Sequence, residues 1–523
     1  MNIATVLHDR ALQHGDRPAI VERGRAVSFG ELDRAAAGAA AELARAGLAA
    51  GMRALVLSPM SVSLYVAMIG MFRLRVTAVF VDPSAGWEYL TRCVDRIRPD
   101  AFVGVPRAHL LRLTSPALRS IPIKLMLGRV ASRRTSCSSL DSGPCDPATP
   151  AIITFTSGAT GAPKAAVRSH GFLLAQHRAL AASLALEPGE VDLTTLPVVL
   201  LANLASGVTS IIPDADLRAP GAIRPEPVID QIRALRPTRV VATPVLLERL
   251  VDCASRQGEP LGSVRRVFTG GAPVFPGLLD KIARAVPGAS VVGVYGSTEA
   301  EPIASINRRD ITPQDRAGMQ RGAGLLAGRP AGSIDVRILP DRWGTPVGVL
   351  NPEHFEREAL GPFAAGEIVV SGDHVLGSYL EGIGDEEAKI HDGSRVWHRT
   401  GDAGYFDRRG RLWLLGRCAA KVTDNFGTLY PFAVECAASG VHGLRRSAFA
   451  QHRGRRVLVI EAERHALEVR DALVTRLAWA RLQDVAIVDE VPVDRRHNAK
   501  IDYTTLGRLL DARVTDGRHG RVA

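Results

Sequence analysis

Lysine is scarce in this chain, supplying six of the 65 basic residues and leaving the rest to arginine. The arginines run through every segment beside abundant Ala and Gly. No dense basic run with interleaved aromatics occurs, so the net charge of +11 reads as a compositional bias and argues against a nucleic-acid partner. Cysteine builds no framework either. Cys93, Cys137, Cys145, Cys253, Cys418 and Cys436 stand far apart, with no C-x-x-C pair and no His at metal-ligand spacing. That excludes a disulfide scaffold and a zinc site and leaves core thiols. Long apolar runs are missing as well. Val62 to Phe72 falls short of the roughly 20 residues that cross a bilayer. The N-terminal MNIATVLHDR carries charge where a secretory leader is apolar. These absences predict a cytoplasmic protein in a reduced compartment, with no integral membrane segment.

What is present is a long globular chain of 523 residues, 46% apolar, enough for two to four units with ample core. Continuous apolar runs at Ala54 to Leu57, Thr77 to Val81, Ala101 to Val105, Ala151 to Phe155, Arg239 to Ala242, Val267 to Thr269 and Ser290 to Tyr295 alternate with helical patterns. Strands of that kind belong to parallel sheets covered on both faces. Ser28 with Glu31 predicts a capped helix over Phe29 to Leu48. From about residue 330 the texture turns to short strands and Gly/Asp turns, a β-rich subdomain over about 330–416. Beyond Arg417 a smaller α+β unit follows. The expected fold is α/β: a large N-terminal domain, 1–416, of stacked αβα sheets plus the β-rich subdomain, then a small mobile C-terminal lid, 417–523. Ser132 to Thr149, rich in Ser, Arg, Pro and Gly, reads as a surface loop.

Four segments carry chemistry. Thr156 to Lys164, TSGATGAPK, combines hydroxyls, small flexible residues and one ammonium between a strand pattern and a helical pattern beginning near Ser169. A loop so placed can point backbone N–H groups at a phosphate. Its spacing is not that of the Walker A loop, because Pro163 precedes Lys164 and Ala165 follows it. VYGSTEA, Val294 to Ala300, ends a strand pattern and presents Tyr295 to stack on a base, Thr298 to bond a phosphate and Glu299 to hold Mg²⁺ from an exposed loop. His398 to Arg417 sets Asp402 in a Gly-flanked turn, suited to ribose hydroxyls, with Arg417 fifteen residues on. Arg496 to Tyr503 carries Lys500. In an arginine-dominated chain a surviving lysine suggests that a compact ammonium is wanted, and Lys164 and Lys500 are two of the six.

In this order and spacing the four segments resemble the acyl-adenylate-forming superfamily of acyl-CoA synthetases, nonribosomal-peptide adenylation domains and luciferases, across essentially the whole chain. The resemblance implies an AMP-forming ligase that uses ATP and Mg²⁺ to activate a carboxylic acid. It implies that Thr156, Ser157, Gly158, Ala159, Thr160, Gly161 and Lys164 grip the triphosphate and that Gly271, Ala272 and Tyr295 enclose the adenine. Gly296, Ser297 and Thr298 would line the nucleotide, with Thr298 on phosphate. Glu299 and Thr156 would hold Mg²⁺, and Asp402 with Arg417 the ribose. Lys500 would be the lid lysine of adenylation, so that Lys500, Glu299, Thr298 and Lys164 carry the catalysis.

Three departures from the superfamily pattern stand out. Ala159 and Ala165 occupy positions where Thr and Gly are usual. After Arg417 the acidic hinge residues are replaced by Cys418, Ala419, Ala420 and Lys421. Leu200 stands where an aromatic or His commonly gates the acyl channel. Together with RPDAFVGVPRAHLLRL, WHRTGDAGY, GTLYP and VDRRHNAK, the chain looks most similar to the β-lactone synthetases of bacterial olefin pathways. That branch implies a fatty, β-hydroxy acid whose own hydroxyl closes a lactone, an intramolecular step favoured by high effective concentration. CoA or an acyl-carrier protein thiol is the alternative acceptor, and a catalytically inactive acyl- or nucleotide-binding homologue the alternative of another class. Association with other enzymes of the same pathway fits either active reading.

Overall fold

A computed structural model of the chain describes residues 2–82, 85–132, 145–157, 163–393, 395–462, 465–494 and 499–515. The expected loop at Ser132 to Thr149 lies for the most part outside them. Among the described residues the strands form a six-stranded sheet, a 15-stranded sheet and smaller two- and three-stranded sheets. The expected apolar runs all become strands, because near-continuous β-branched and apolar residues can be buried on both faces. Arg53–Leu57, Thr77–Phe80 and Ala101–Gly104 lie parallel at the centre of the six-stranded sheet. Helix Phe29–Arg45 covers one face, and its start is fixed by the predicted capping box. The Glu31 N–H donates to Ser28 Oγ at 3.2 Å, and the Ser28 N–H donates to the Glu31 carboxylate at 2.9 Å. Each large apolar side chain buried here contributes about 1.5–3 kcal/mol.

The larger sheet contains six successive parallel strands, Pro18–Glu22, Thr209–Ile211, Val191–Thr194, Arg239–Ala242, Arg266–Gly270 and Ser290–Ser297. It then turns antiparallel through Ala300–Asn307, Leu325–Pro330, Leu412–Arg417, Val396–Phe406, Gly366–Ser371 and Asp335–Leu339. The β-rich region expected after residue 330 is thus hydrogen-bonded into the same sheet as the parallel strands. Leu200 is fully buried in the core of the first sheet, among Tyr65, Leu204 and Phe172. The five described cysteines are buried free thiols, and among the described residues no helix is long and apolar enough to cross a membrane.

The C-terminal strands Leu444–His452, Arg455–Ala462 and Asp484–Val488 form their own sheet over a separate core that includes Val434, Phe449, Leu458 and Leu473. Glu435, on helix Pro431–Ala438, is buried in it and accepts hydrogen bonds from the Phe449 N–H at 3.0 Å and from the Tyr503 hydroxyl. Burial raises its carboxyl from 4.5 to about 7, despite those two donors. The folded chain therefore binds this proton more tightly than the unfolded one. The stabilisation is complete below about pH 4.5 and is lost as pH rises through about 7. Between pH 5 and 8 the parent protein should lose melting temperature relative to Glu435→Gln, whose amide does not titrate. Parallel thermal melts of the two proteins across that range would count against it.

Candidate active site

The described ends of the expected phosphate cradle lie on two paired strands. Pro150–Ser157 pairs antiparallel with Pro163–Ser169, so the backbone of Thr156 faces Lys164 and that of Ser157 faces Pro163. This corrects the expected strand-to-helix passage. Ala165, Ala166 and Val167 form an intervening strand, and the helix His170–Leu184 begins only after it, capped by Ser169. Gly158, Ala159, Thr160 and Gly161 lie outside the described residues. Lys164 is nearly buried, with 10% of its side chain exposed, and its ammonium donates to Glu387 at 2.8 Å.

VYGSTEA is also a hairpin, half-buried where an exposed loop was expected, because Ala300–Asn307 returns antiparallel to Ser290–Ser297. Ser297 Oγ shapes the turn by accepting from the N–H groups of Glu299 and Ala300, both at 3.2 Å. Gly296 is held just before it, where a Cβ would come within 3.1 Å of the Ala300 carbonyl. Arg168, on the cradle strand, donates to the Thr298 carbonyl at 2.7 Å and so joins the two hairpins. Glu299 accepts from the Tyr379 hydroxyl at 2.9 Å. Burial pushes the Glu299 carboxyl up. His398 when protonated, the Tyr379 hydroxyl and the Lys389 ammonium together outweigh that push and leave it below the ordinary value. Lys389 is buried beside it, lowered by desolvation to about 8, and donates to the Leu376 carbonyl and to His398 Nδ1 at 3.3 Å.

Asp402 is not in a turn. It sits within strand Val396–Phe406, paired with Arg417 on Leu412–Arg417. The preceding Gly401 has φ +68, and a Cβ there would lie 2.9 Å from the Trp343 ring, so glycine serves close packing inside a strand. The Tyr295 hydroxyl donates to Asp402 Oδ2 at 2.7 Å, and Arg417 Nε lies 3.3 Å from Oδ1. Burial, with the Asp402 charge, lifts the Tyr295 hydroxyl well above its usual range, while Asp402 raises Arg417. The phenol is thereby anchored by its tip, leaving the ring as a platform. Gly271 and Ala272 follow strand Arg266–Gly270, whose Gly270 pairs with Val294. They therefore stand beside Tyr295 at the carboxyl ends of parallel strands, where open α/β sheets bind ligands.

Lys500 lies on the C-terminal unit, with its backbone N–H on Asp494 Oδ1 at 2.9 Å. Its charge reaches the half-buried Glu301. Burial raises that carboxyl, and Arg168 and Lys500 partly offset the rise. The C-terminal unit also rests on the body through Trp479, which packs against Gly322. At φ +92, a Cβ on that glycine would meet the ring at 2.4 Å. Where acidic hinge residues were missing, Lys421 pairs with Asp341 at 2.9 Å, and the Tyr430 hydroxyl donates to the same carboxylate at 2.8 Å.

Among the described residues no group of three or more His, Cys, Asp or Glu converges on a point. A carboxylate such as Glu299, held by the Tyr379 hydroxyl, suits Mg²⁺, which takes one or two protein carboxylates and completes its shell with nucleotide phosphates and water. A profile of AMP-binding enzymes matches residues 7–380. The chain belongs to the AMP-binding enzyme family. Curated relatives within its range include an olefin beta-lactone synthetase of Stenotrophomonas maltophilia (strain K279a), 33% identical across 98% of each chain. Another of that name, from Xanthomonas campestris pv. campestris, is 33% identical over 91% of this chain and 89% of its own. The crystal structure of ATP-bound MatB from Rhodopseudomonas palustris shares the fold, with a TM-score of 0.78 over 97% of this chain and 99% of that one at 20% identity.

For a member of the AMP-binding family, the segment 372–391 is what the sequence reading left unassigned. It crosses both hairpins: the Leu376 N–H donates to the Glu299 carbonyl at 2.7 Å, and Tyr379 bridges to Ala166. It supplies Tyr379, Glu387 and Lys389. One signal was available, because Lys389 is another of the six lysines.

Proposed function

We propose that this protein uses ATP and Mg²⁺ to convert a fatty β-hydroxy carboxylic acid into an acyl-adenylate and then into a β-lactone. The observation that carries the reading is the linkage of Lys164 and Glu299 through Tyr379, on the hairpin whose Tyr295 is tied to Asp402 and Arg417, with the Lys500 charge felt at Glu301. The near full-length similarity to olefin beta-lactone synthetases supports the choice of substrate. In this reading residues 1–416 are the adenylating body and 417–523 the lid. Tyr295 with Gly271 and Ala272 receives adenine, Asp402 accepts from the ribose hydroxyls, and the Thr156 to Lys164 segment holds the triphosphate. Glu299 would hold Mg²⁺, whose charge would offset that of the phosphates.

The first step forms a bond from the acid's carboxylate oxygen to the α-phosphorus and breaks the bond to pyrophosphate. In this reading the Lys500 ammonium offsets charge on the five-coordinate phosphorus and aligns the carboxylate. In the second step the substrate's β-hydroxyl oxygen bonds to the acyl carbon, the acyl–phosphate bond breaks, AMP leaves and the hydroxyl proton goes to solvent. Both nucleophile and electrophile belong to one molecule, so no second acceptor need enter. The Lys421–Asp341–Tyr430 contact, which fastens the linker to the body, is in keeping with a lid that keeps one posture throughout.

Incubating the protein with ATP, Mg²⁺ and a 3-hydroxy fatty acid should yield AMP, pyrophosphate and a β-lactone, identified by mass spectrometry and its infrared carbonyl band, without CoA. Product that forms only when CoA or a carrier-protein thiol is supplied would overturn the lactone reading and keep the adenylating one.

A further inference from the structure

The residue that links the cradle to the proposed metal ligand is Tyr379. Its ring lies beneath two ammonium groups, Lys164 Nζ at 5.8 Å and Lys389 Nζ at 5.3 Å from the centroid. An aromatic face attracts both cations. The backbone is fixed as firmly: the Tyr379 N–H donates to Asp385 Oδ1 at 2.9 Å, and the residue bridges to Ala166 on the cradle strand. Only 4% of Tyr379 is exposed, so its phenol has little freedom. From that socket its hydroxyl donates to Glu299 Oε1 at 2.9 Å.

A carboxylate on a hairpin turn can rotate about its last bond, and a divalent cation binds well only if that rotation is already arrested. Hydrogen-bonded partners of metal-binding carboxylates do this, and losing one typically weakens metal binding about 10- to 100-fold. We propose that Tyr379 is a positioning residue that fixes the Glu299 carboxylate for the divalent cation arriving with the nucleotide. Its ring sets the orientation by sitting under the Lys164 and Lys389 ammonium groups. Lys164 then has two duties, one toward the triphosphate and one toward the phenol that aims the metal ligand. This inference rests on the assignment of Glu299 to the metal.

The test is Mn²⁺ binding to the full-length protein with a non-cleavable α,β-methylene ATP, followed by electron paramagnetic resonance. Tyr379→Phe keeps the ring under both ammonium groups and removes only the hydroxyl. Its Mn²⁺ affinity should fall about 10-fold, with AMP binding in metal-free buffer and melting temperature unchanged. In turnover, half-saturation by Mg²⁺ should rise while KM for the acid stays put. Glu299→Gln is the companion. If it abolishes Mn²⁺ binding and Tyr379→Phe binds like the parent, the positioning role is wrong. If Glu299→Gln itself binds Mn²⁺ like the parent, the metal assignment fails and the inference with it.

Discussion

Replacing Lys500 with alanine should lower carboxylate-dependent exchange of pyrophosphate into ATP by about 100- to 1,000-fold, the cost of removing one group aimed at developing charge. ATP binding, measured by calorimetry, should stay close to the parent value, because in the proposed reading base and ribose are held by Tyr295, Asp402 and Arg417, which contact one another on other elements. Lys500→Arg should recover little. A planar guanidinium cannot place its charge where a compact ammonium does, and a chain so rich in arginine keeps lysine here. Exchange at the parent rate in Lys500→Ala would remove Lys500 from the site.

Arg399 is the position where the largest loss of stability is expected. It is 1% exposed, donates to Glu367 through Nε and Nη2, the latter at 2.7 Å, and reaches the carbonyls of Thr345, Arg342 and Glu387. Its guanidinium also lies over Trp343, 5.4 Å from the ring centroid. Arg399→Met leaves the buried Glu367 carboxylate without its cation and should cost about 3–5 kcal/mol. Removing both charges in Arg399→Met/Glu367→Leu should restore much of the loss, because no lone charge then remains in the interior. Urea unfolding midpoints of the two variants decide it. A double variant as unstable as the single one would mean that the carbonyl contacts matter more than the charge pair.

The strands of the parallel regions were legible because their apolar runs have no other stable use. The Ser28–Glu31 box was legible because capping is local chemistry. Asp402 was misplaced for an equally physical reason. Gly401 and Asp402 carry the residue types of a turn, yet pairing with Leu412–Arg417 and the Trp343 ring against Gly401 settle the backbone as strand. The cradle hairpin was missed because Ala165 and Ala166 are too small to give an apolar alternation. Tyr379, Glu387 and Lys389 were missed because their segment has no period and its function arises from crossing two hairpins far away in sequence. The scarcity of lysine is the compositional trace of that segment, because Lys389 is one of the six.

The bond from Tyr295 to Asp402 measures how far the great sheet bends. Their strands are four steps apart in the hydrogen-bonded order, about 19 Å in a flat sheet at about 4.8 Å per step. A tyrosine and an aspartate reaching toward each other cannot span that gap, yet hydroxyl and carboxylate meet at 2.7 Å. The sheet must therefore curl into a trough, with this pair as a clasp across its mouth. The berth proposed for the nucleotide is a product of that curvature and needs no movement of the lid to form.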